Sequence, residues 1–291
     1  MSWRFVLTTI VASVLAAAGC RRSAPGGHDA PAPRVVSFSP AITGMLFEMN
    51  LGRHVVGVTT FCTVPAGERD IPVVGDRARV SAEPILAVRP DVILVQQNPA
   101  DFAAVTNIAP RVRIEHFTIE SLADIAAAIE RIGAIAGDQQ AGLAQKEAFL
   151  SRLEAVRRRT AGLARPKVLF LLDFDKPSTG GAGTFISEMI DAAGGLNAAA
   201  AAGYSGWRTL NRENVISMAP EVLVCQVSPG QEAAAADYWR TLGDLPAVRA
   251  GRVHVVTDSR WTVPSIWSAR FAGELASMIH PDQPAKEAHG G

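Results

Sequence analysis

The sequence predicts an α/β fold of two Rossmann-like lobes, each a mainly parallel sheet covered by helices, joined by one long backbone α-helix. Three observations predict it. Ser81-Ala-Glu-Pro-Ile-Leu-Ala-Val-Arg-Pro-Asp-Val-Ile-Leu-Val95 recurs, displaced by 130 positions, as Asn211-Arg-Glu-Asn-Val-Ile-Ser-Met-Ala-Pro-Glu-Val-Leu-Val-Cys225. Each copy has a capping residue, a Glu two places later, an apolar helical turn, Pro followed by an acid, and a β-rich run, which reads as helix, turn, buried strand. Short apolar strands alternate with helical patterns in both halves, the signature of a parallel sheet covered by helices. Between the halves, residues 138–164 contain no Pro and place Leu143, Leu150, Leu153, Val156 and Leu163 at spacings of three, four or seven; that pattern predicts one amphipathic helix.

Along the chain, Arg4 and the apolar or small residues Phe5 to Ala18 make a targeting segment, and Ala17-Ala-Gly-Cys20 resembles a bacterial lipobox, with Ala17 where Leu, Val or Ile is usual. The expected organisation is a signal peptide over 1–19, lipidation at Cys20, a Pro/Gly/Ser/Arg-rich flexible tether over 20–32, an N-terminal lobe over 33–137, the connecting helix over 138–165, a C-terminal lobe over 166–280 and a disordered tail over 281–291. The mature chain is thus expected to be exported, in the periplasm or cell envelope, and held at the membrane only through its lipid. After Cys20 no apolar run reaches the roughly 18 residues of a membrane span.

The repeat extends beyond its first segment. Pro33-Arg-Val-Val36 is echoed by Pro166-Lys-Val-Leu169, Arg111-Val-Arg-Ile114 by Arg252-Val-His-Val255, and the helical pattern Ser121 to Ile132 by Ser265 to Ala276. At about 1.5 Å per residue the 138–164 helix spans roughly 35 to 40 Å, enough to cross both lobes and restrict their relative motion.

Composition narrows the chemistry. With 48% hydrophobic residues in 291 the chain has ample material for real cores, and a formal net charge of zero without a basic stripe argues against nucleic acid as a partner. Six His and three Cys argue against a zinc scaffold or a disulfide framework. His54, His116 and His254 lack metal-like spacing and read as structural. Cys225 reads as a small apolar residue on its strand. Gly180-Gly-Ala-Gly183 lacks the spacing and the Lys-Ser/Thr of phosphate loops, so it reads as a turn bordering a cleft. No G-x-S-x-G nucleophile elbow occurs. Catalytic residues, a cofactor and a bound metal are therefore not expected.

Open α/β sheets bind ligands at loops following the carboxyl ends of their strands. That rule selects Ser39, Pro40 and Ala41 after the first strand, Thr60 and Phe61 after the second, and Gln96, Gln97 and Asn98 after the repeated one. In the second half it selects Asp173, Phe174, Thr184, Phe185, Gln226, Ser228 and Asp258 to Trp261, with Trp207 in the loop before the second repeat copy. Aromatics, amides and hydroxyls with one cation, Arg260, suit a large, partly apolar ligand. Glu83 and Glu213 each follow an N-cap, so helix-dipole complementation alone would explain either. Their equivalence also allows paired contacts with a two-fold partner through Arg or Lys.

Val35-Val-Ser-Phe-Ser-Pro-Ala-Ile-Thr43, Val56-Gly-Val-Thr59, Ile71-Pro-Val-Val-Gly75, Glu83 with Pro90-Asp91, and the 138–164 helix together make the chain resemble the periplasmic binding proteins for cobalamin and ferric siderophores, the substrate-binding subunits of ABC importers. The resemblance runs from about Pro33 to His280. It implies that Glu83 and Glu213 are docking glutamates that meet arginines on a dimeric permease, which works with ATPase subunits. It also implies that Ser39, Pro40, Ala41, Phe61, Trp207, Arg260 and Trp261 fall where such proteins contact ligand, and a monomer is expected. Haem-binding relatives often carry Tyr shortly after the Val-Gly that precedes the first docking helix; here Val74-Gly75 is followed by Asp76-Arg77, leaving Tyr204 as the alternative axial ligand. Catecholate siderophores call for several basic residues in the cleft, so a neutral, bulky corrinoid ranks ahead of a ferric siderophore, and both rank ahead of haem or a metal ion. An exported α/β enzyme and a ligand-sensing lipoprotein are the readings from other classes.

Overall fold

The computed structural model describes residues 32–76 and 79–282. Cys20, the signal segment, the tether up to residue 31 and the tail from 283 lie outside the described residues, as do Arg77 and its neighbour at 78. In the first half, β1 (Val35–Ser37), α1 (Pro40–Glu48), β2 (Val55–Thr59), β3 (Val73–Gly75), α2 (Ala82–Ala87), β4 (Val92–Val95), α3 (Ala103–Ile108), β5 (Arg113–His116) and α4 (Leu122–Ile135) follow one another. The connecting helix is α5 (Gln139–Thr160). The second half runs β6 (Lys167–Leu172), β7 (Ser178–Gly180), α6 (Phe185–Ala192), β8 (Leu196–Asn197), α7 (Ala198–Ala201), β9 (Trp207–Thr209), α8 (Arg212–Met218), β10 (Val222–Gln226), α9 (Glu232–Arg240), α10 (Pro246–Arg249), β11 (Val253–Val256) and α11 (Trp267–Ile279).

The first sheet has the order β3-β2-β1-β4-β5 and is parallel throughout; the second has β11-β10-β6-β7-β9. The repeated elements take equivalent places: β6 stands for β1, β10 for β4 and β11 for β5. The lobes differ at the other edge, where antiparallel β7 and β9 stand in for β2 and β3, and β8 pairs in parallel with the start of β6.

The acid after each Pro has a specific task. The Asp91 carboxylate accepts the Arg34 N–H at 2.8 Å while its own N–H donates to Arg34 O at 2.9 Å. Glu221 repeats the exchange with Lys167, both bonds at 2.8 Å. Each pair fixes the start of the central strand against the repeated one. The preceding helix ends in each lobe on a left-handed residue, Arg89 or Ala219, both at φ 46°, and the following Pro blocks continuation.

Side chains alternate along the strands between two kinds of core. Val36, Ile93 and Val95 face a cluster private to the first lobe, and Leu169, Leu171, Leu223 and Cys225 one private to the second. Val35, Val92, Leu94, Val168, Phe170, Val222 and Val224 face a third cluster that is continuous through both lobes by way of α1, α4, α5, α6 and α11. Cys225 and Cys62 are free thiols, and burial pushes the Cys225 thiol up to about 11.

Helix α5 is shorter than the sequence suggests, about 33 Å for its 22 residues. The chain leaves helical geometry at Ala161, which is extended at φ −61° and ψ 131°, and Gly162 follows at φ 78°. Its inward face also differs. Gly142, Phe149, Leu153, Val156 and Thr160 are buried, whereas Leu143 and Leu150 are 38% and 44% exposed. The cause is a backbone-to-backbone contact with α4: a Cβ on Gly133 would lie 2.5 Å from Gly142 Cα. That contact fixes the rotation of α5 and turns Phe149 inward, and the leucine spacing alone carries no record of it.

The contact is testable because two effects have opposite signs at Gly133. Helix propensity favours Ala over Gly by up to about 1 kcal/mol, while forcing a methyl into the α4–α5 contact costs about 1–3 kcal/mol. Gly133→Ala is expected to lower the urea unfolding midpoint; an unchanged or raised midpoint would show that the helices separate freely.

Candidate functional site

A cavity of about 720 Å³ opens between strand ends of the two lobes. From the first lobe it is lined by Phe38 to Ala41 after β1, Thr59 and Phe61 at the end of β2, Gln96 and Gln97 after β4, and Phe117 to Glu120 after β5. From the second it is lined by Leu172 at the end of β6, Phe185 at the start of α6, Trp207 at the start of β9, and Thr262 to Pro264 after β11.

Local sequence explains most of these placements. Ser39 caps α1, accepting the Ile42 N–H at 3.4 Å, and Pro40 occupies the first helical position, where its missing N–H costs nothing. The Ser39 hydroxyl donates to Gln96 Oε1, joining the ends of β1 and β4. Thr184 caps α6 and thereby presents Phe185, whose ring lies 6.0 Å from Trp207. Gly181 is a glycine because the chain crosses itself there: a Cβ would meet the Tyr204 carbonyl oxygen at 2.3 Å. Phe61 and Trp207 remain 67% and 40% exposed, so each leaves ring surface free at the cavity wall.

The structure brings together Ser39, Pro40, Ala41, Phe61, Gln97, Phe185 and Trp207. It does not bring Arg260 or Trp261 to the cavity. Trp261 is 2% exposed and stacks between Phe170 at 5.8 Å and Phe271 at 4.5 Å, so the shared core has claimed its ring. Arg260 turns back: its Nε and Nη2 donate to the Asp258 carboxylate at 2.7 to 3.1 Å, and its guanidinium lies 5.0 Å from the Trp267 ring. Thr262, Val263 and Pro264 form the wall instead. Phe174 packs in the private core of the second lobe, and so does Tyr204. Phe117 to Glu120 were within reach of sequence reasoning, since the strand-end rule applies to β5 as much as to β4.

Electrostatically the wall is nearly neutral. Among the described lining residues Glu120 is the one formal charge, and neither Lys, Arg, His, Tyr, Cys nor Met is present. No three His, Cys, Asp or Glu among the described residues are grouped to hold a metal ion. His254 is on β11, where burial pushes its imidazole below the ordinary value.

Two bonds cross between lobes near the cavity. Glu188, one turn along α6 from Phe185, accepts the Leu122 N–H at 2.7 Å beside Ile119 and Glu120. Trp267 Nε1 donates to Glu48 Oε1 on α1 at 2.9 Å. Its ring fits only because Gly44 has no side chain; a Cβ there would meet the ring at 2.5 Å. Away from the cavity, Glu83 and Glu213 sit exposed in the first turns of α2 and α8, and neither has a hydrogen-bond or ion-pair partner among the described residues.

A family model described as periplasmic binding protein matches residues 35–259. Over 259 residues the chain is 25% identical to the uncharacterized ABC transporter substrate-binding lipoprotein YvrC of Bacillus subtilis, covering 86% of this chain and 80% of that one. It is 24% identical over 221 residues to the vitamin B12-binding protein of Salmonella typhi, covering 75% and 81%. Among solved structures, the periplasmic haem-binding protein RhuT of Roseiflexus sp. RS-1 superposes with a TM-score of 0.73 at 27% identity, over 87% of this chain and all of that one. The vitamin B12-binding protein BtuF of Vibrio cholerae shares the fold, with a TM-score of 0.74 at 21% identity over 87% and 98%.

The Arg260 cluster yields an acid-limb prediction. Hydrogen bonds from Arg260 hold the Asp258 carboxyl below its ordinary 3.8, so its contribution to stability is full above that value and is lost as pH falls through the lower folded value. Asp258→Asn should reduce stability at pH 6 and flatten its decline below about pH 4, read from urea titrations across pH; an unaltered acid limb contradicts the pairing.

Proposed function

The chain belongs to the periplasmic binding protein family, and on that premise we propose that it is the substrate-binding subunit of an ABC importer, exported and lipid-anchored at Cys20, with a corrinoid such as cobalamin as its ligand. The observation that carries the ligand class is the cavity wall: five aromatic rings, amides and hydroxyls, and a single charge, which is negative. A bulky neutral macrocycle gains from stacking and hydrogen bonding there without needing a counter-ion. A ferric catecholate would bring several negative charges to a wall with no cation among its described residues, an uncompensated burial. Haem is the second reading, favoured by the likeness to RhuT. Against it stands the absence of Tyr or His from the described lining, since axial ligation of haem iron by protein uses such groups.

The reading is of a binder. Ser39, the lining hydroxyl nearest to a nucleophile by type, donates to an amide oxygen and not to a base. Delivery is proposed to run through Glu83 and Glu213. Their equivalence on two lobes, their exposure and their lack of a described partner support a role for both in meeting cations on a two-fold permease, with the ligand exchanged through the cleft between them.

Two measurements test this. Calorimetric titration with cyanocobalamin, haemin and a ferric catecholate should give binding to the first, and Trp207→Ala should weaken it about tenfold or more, as loss of a stacking ring does. Binding of haemin or the ferric complex in its place overturns the ligand assignment. The double variant Glu83→Ala/Glu213→Ala should retain ligand affinity and lose cellular uptake; unchanged uptake removes the docking role.

A further inference from the structure

Gln97 lies immediately beyond β4 and contributes to the cavity wall. Both polar atoms of its amide, Oε1 and Nε2, are shut off from solvent and have no hydrogen-bond partner among the described residues. The adjacent Gln96 differs, because its Oε1 accepts the Ser39 hydroxyl and its place is fixed. A buried amide with both ends unpaired is destabilising, and native structures rarely keep one without a use. Nothing polar holds the Gln97 amide in its present rotamer. Rotation about its side-chain bonds exchanges an unpaired position for one in the cavity, with no hydrogen bond to break.

An amide brings one donor edge and one acceptor edge side by side. A primary carboxamide on a ligand offers the same pair in reverse and can close two hydrogen bonds at once. A carboxylate offers acceptors only, so it satisfies Nε2 and sets its charge against Oε1. Glu120 on the same wall adds repulsion of the same sign.

We infer that Gln97 is a specificity-determining residue that selects a ligand carrying a neutral primary carboxamide over the same ligand carrying a carboxylate. This rests on reading the cavity as a corrinoid site, since the corrin ring is rimmed by acetamide and propionamide groups and haem by propionates. The Gln97 amide turns into the cavity when ligand enters and is satisfied there.

The probes are cyanocobalamin and its monocarboxylic acids, in which one propionamide has been hydrolysed, titrated into the full mature protein. The wild type should bind cyanocobalamin at least about tenfold more tightly than one of the monoacids. Gln97→Leu should lose about tenfold in affinity for cyanocobalamin and erase most of that preference, while the thermal midpoint of the unliganded protein holds or rises because an unpaired amide has been removed. Gln97→Glu should lose cyanocobalamin affinity by a similar factor. Two results defeat the inference while leaving the corrinoid reading intact: unaltered affinity and preference in Gln97→Leu, or a lowered midpoint in the unliganded variant, which would assign the side chain to packing. A wild type that binds haemin and not cyanocobalamin defeats both.

Discussion

The hydrophobic cluster that runs without interruption through both lobes is the constraint on which the rest of this structure depends. It exists because every central strand is apolar on both faces and alternates its side chains between a private core and the shared one. Burial of this kind is the main favourable term in folding, and here it spans the junction between the two sheets. The lobe arrangement therefore follows from core packing, and the cavity between strand ends inherits its dimensions from it. The Trp267–Glu48 and Glu188–Leu122 bonds add direction to an orientation that the core already holds.

The duplicated segment shows how a loose sequence echo can encode tight geometry. Few residues are identical between the copies, yet both carry a left-handed residue, a Pro and an acid in succession, and each acid makes the same two-bond exchange at the start of the central strand, with Arg34 just before β1 and with Lys167 opening β6. The acid after Pro looked like a helix-strand spacer in sequence; it is the piece that sets strand against strand. Glu83 and Glu213 come from the same repeat and make no such strand-to-strand bond; they stand exposed in the first turns of their helices, where an acid complements the helix dipole.

Much of the site was legible because one rule about strand ends applies wherever a parallel sheet forms. Ser39, Pro40, Ala41, Phe61, Gln97 and Phe185 on the cavity wall followed from it, and Trp207 from its loop before the second repeat copy. The same rule also selected Arg260 and Trp261, which do not reach the cavity, for a reason that no local pattern records: Trp261 gains Phe170 and Phe271 as ring partners only after the sheet and α11 have packed. On α5, Leu153 and Val156 are buried as their spacing predicts, whereas the burial of Phe149 in place of Leu143 and Leu150 escaped for the same reason. Its rotation is set by two glycines on different helices, and leucine spacing within one helix holds no information about a neighbour's backbone. The antiparallel edge of the second sheet likewise depends on one residue pair between β6 and β7 and three between β7 and β9, too few to leave a periodic trace.

The shared core also bears on opening. A receptor whose halves swing apart on a hinge can let go of its cargo by opening. Here, parting the halves would have to peel α4, α5, α6 and α11 from a common apolar interior, which costs the burial that holds them together. A release that needed the lobes apart would take work from outside the molecule. The same packing that sets the dimensions of the cleft opposes any change in them.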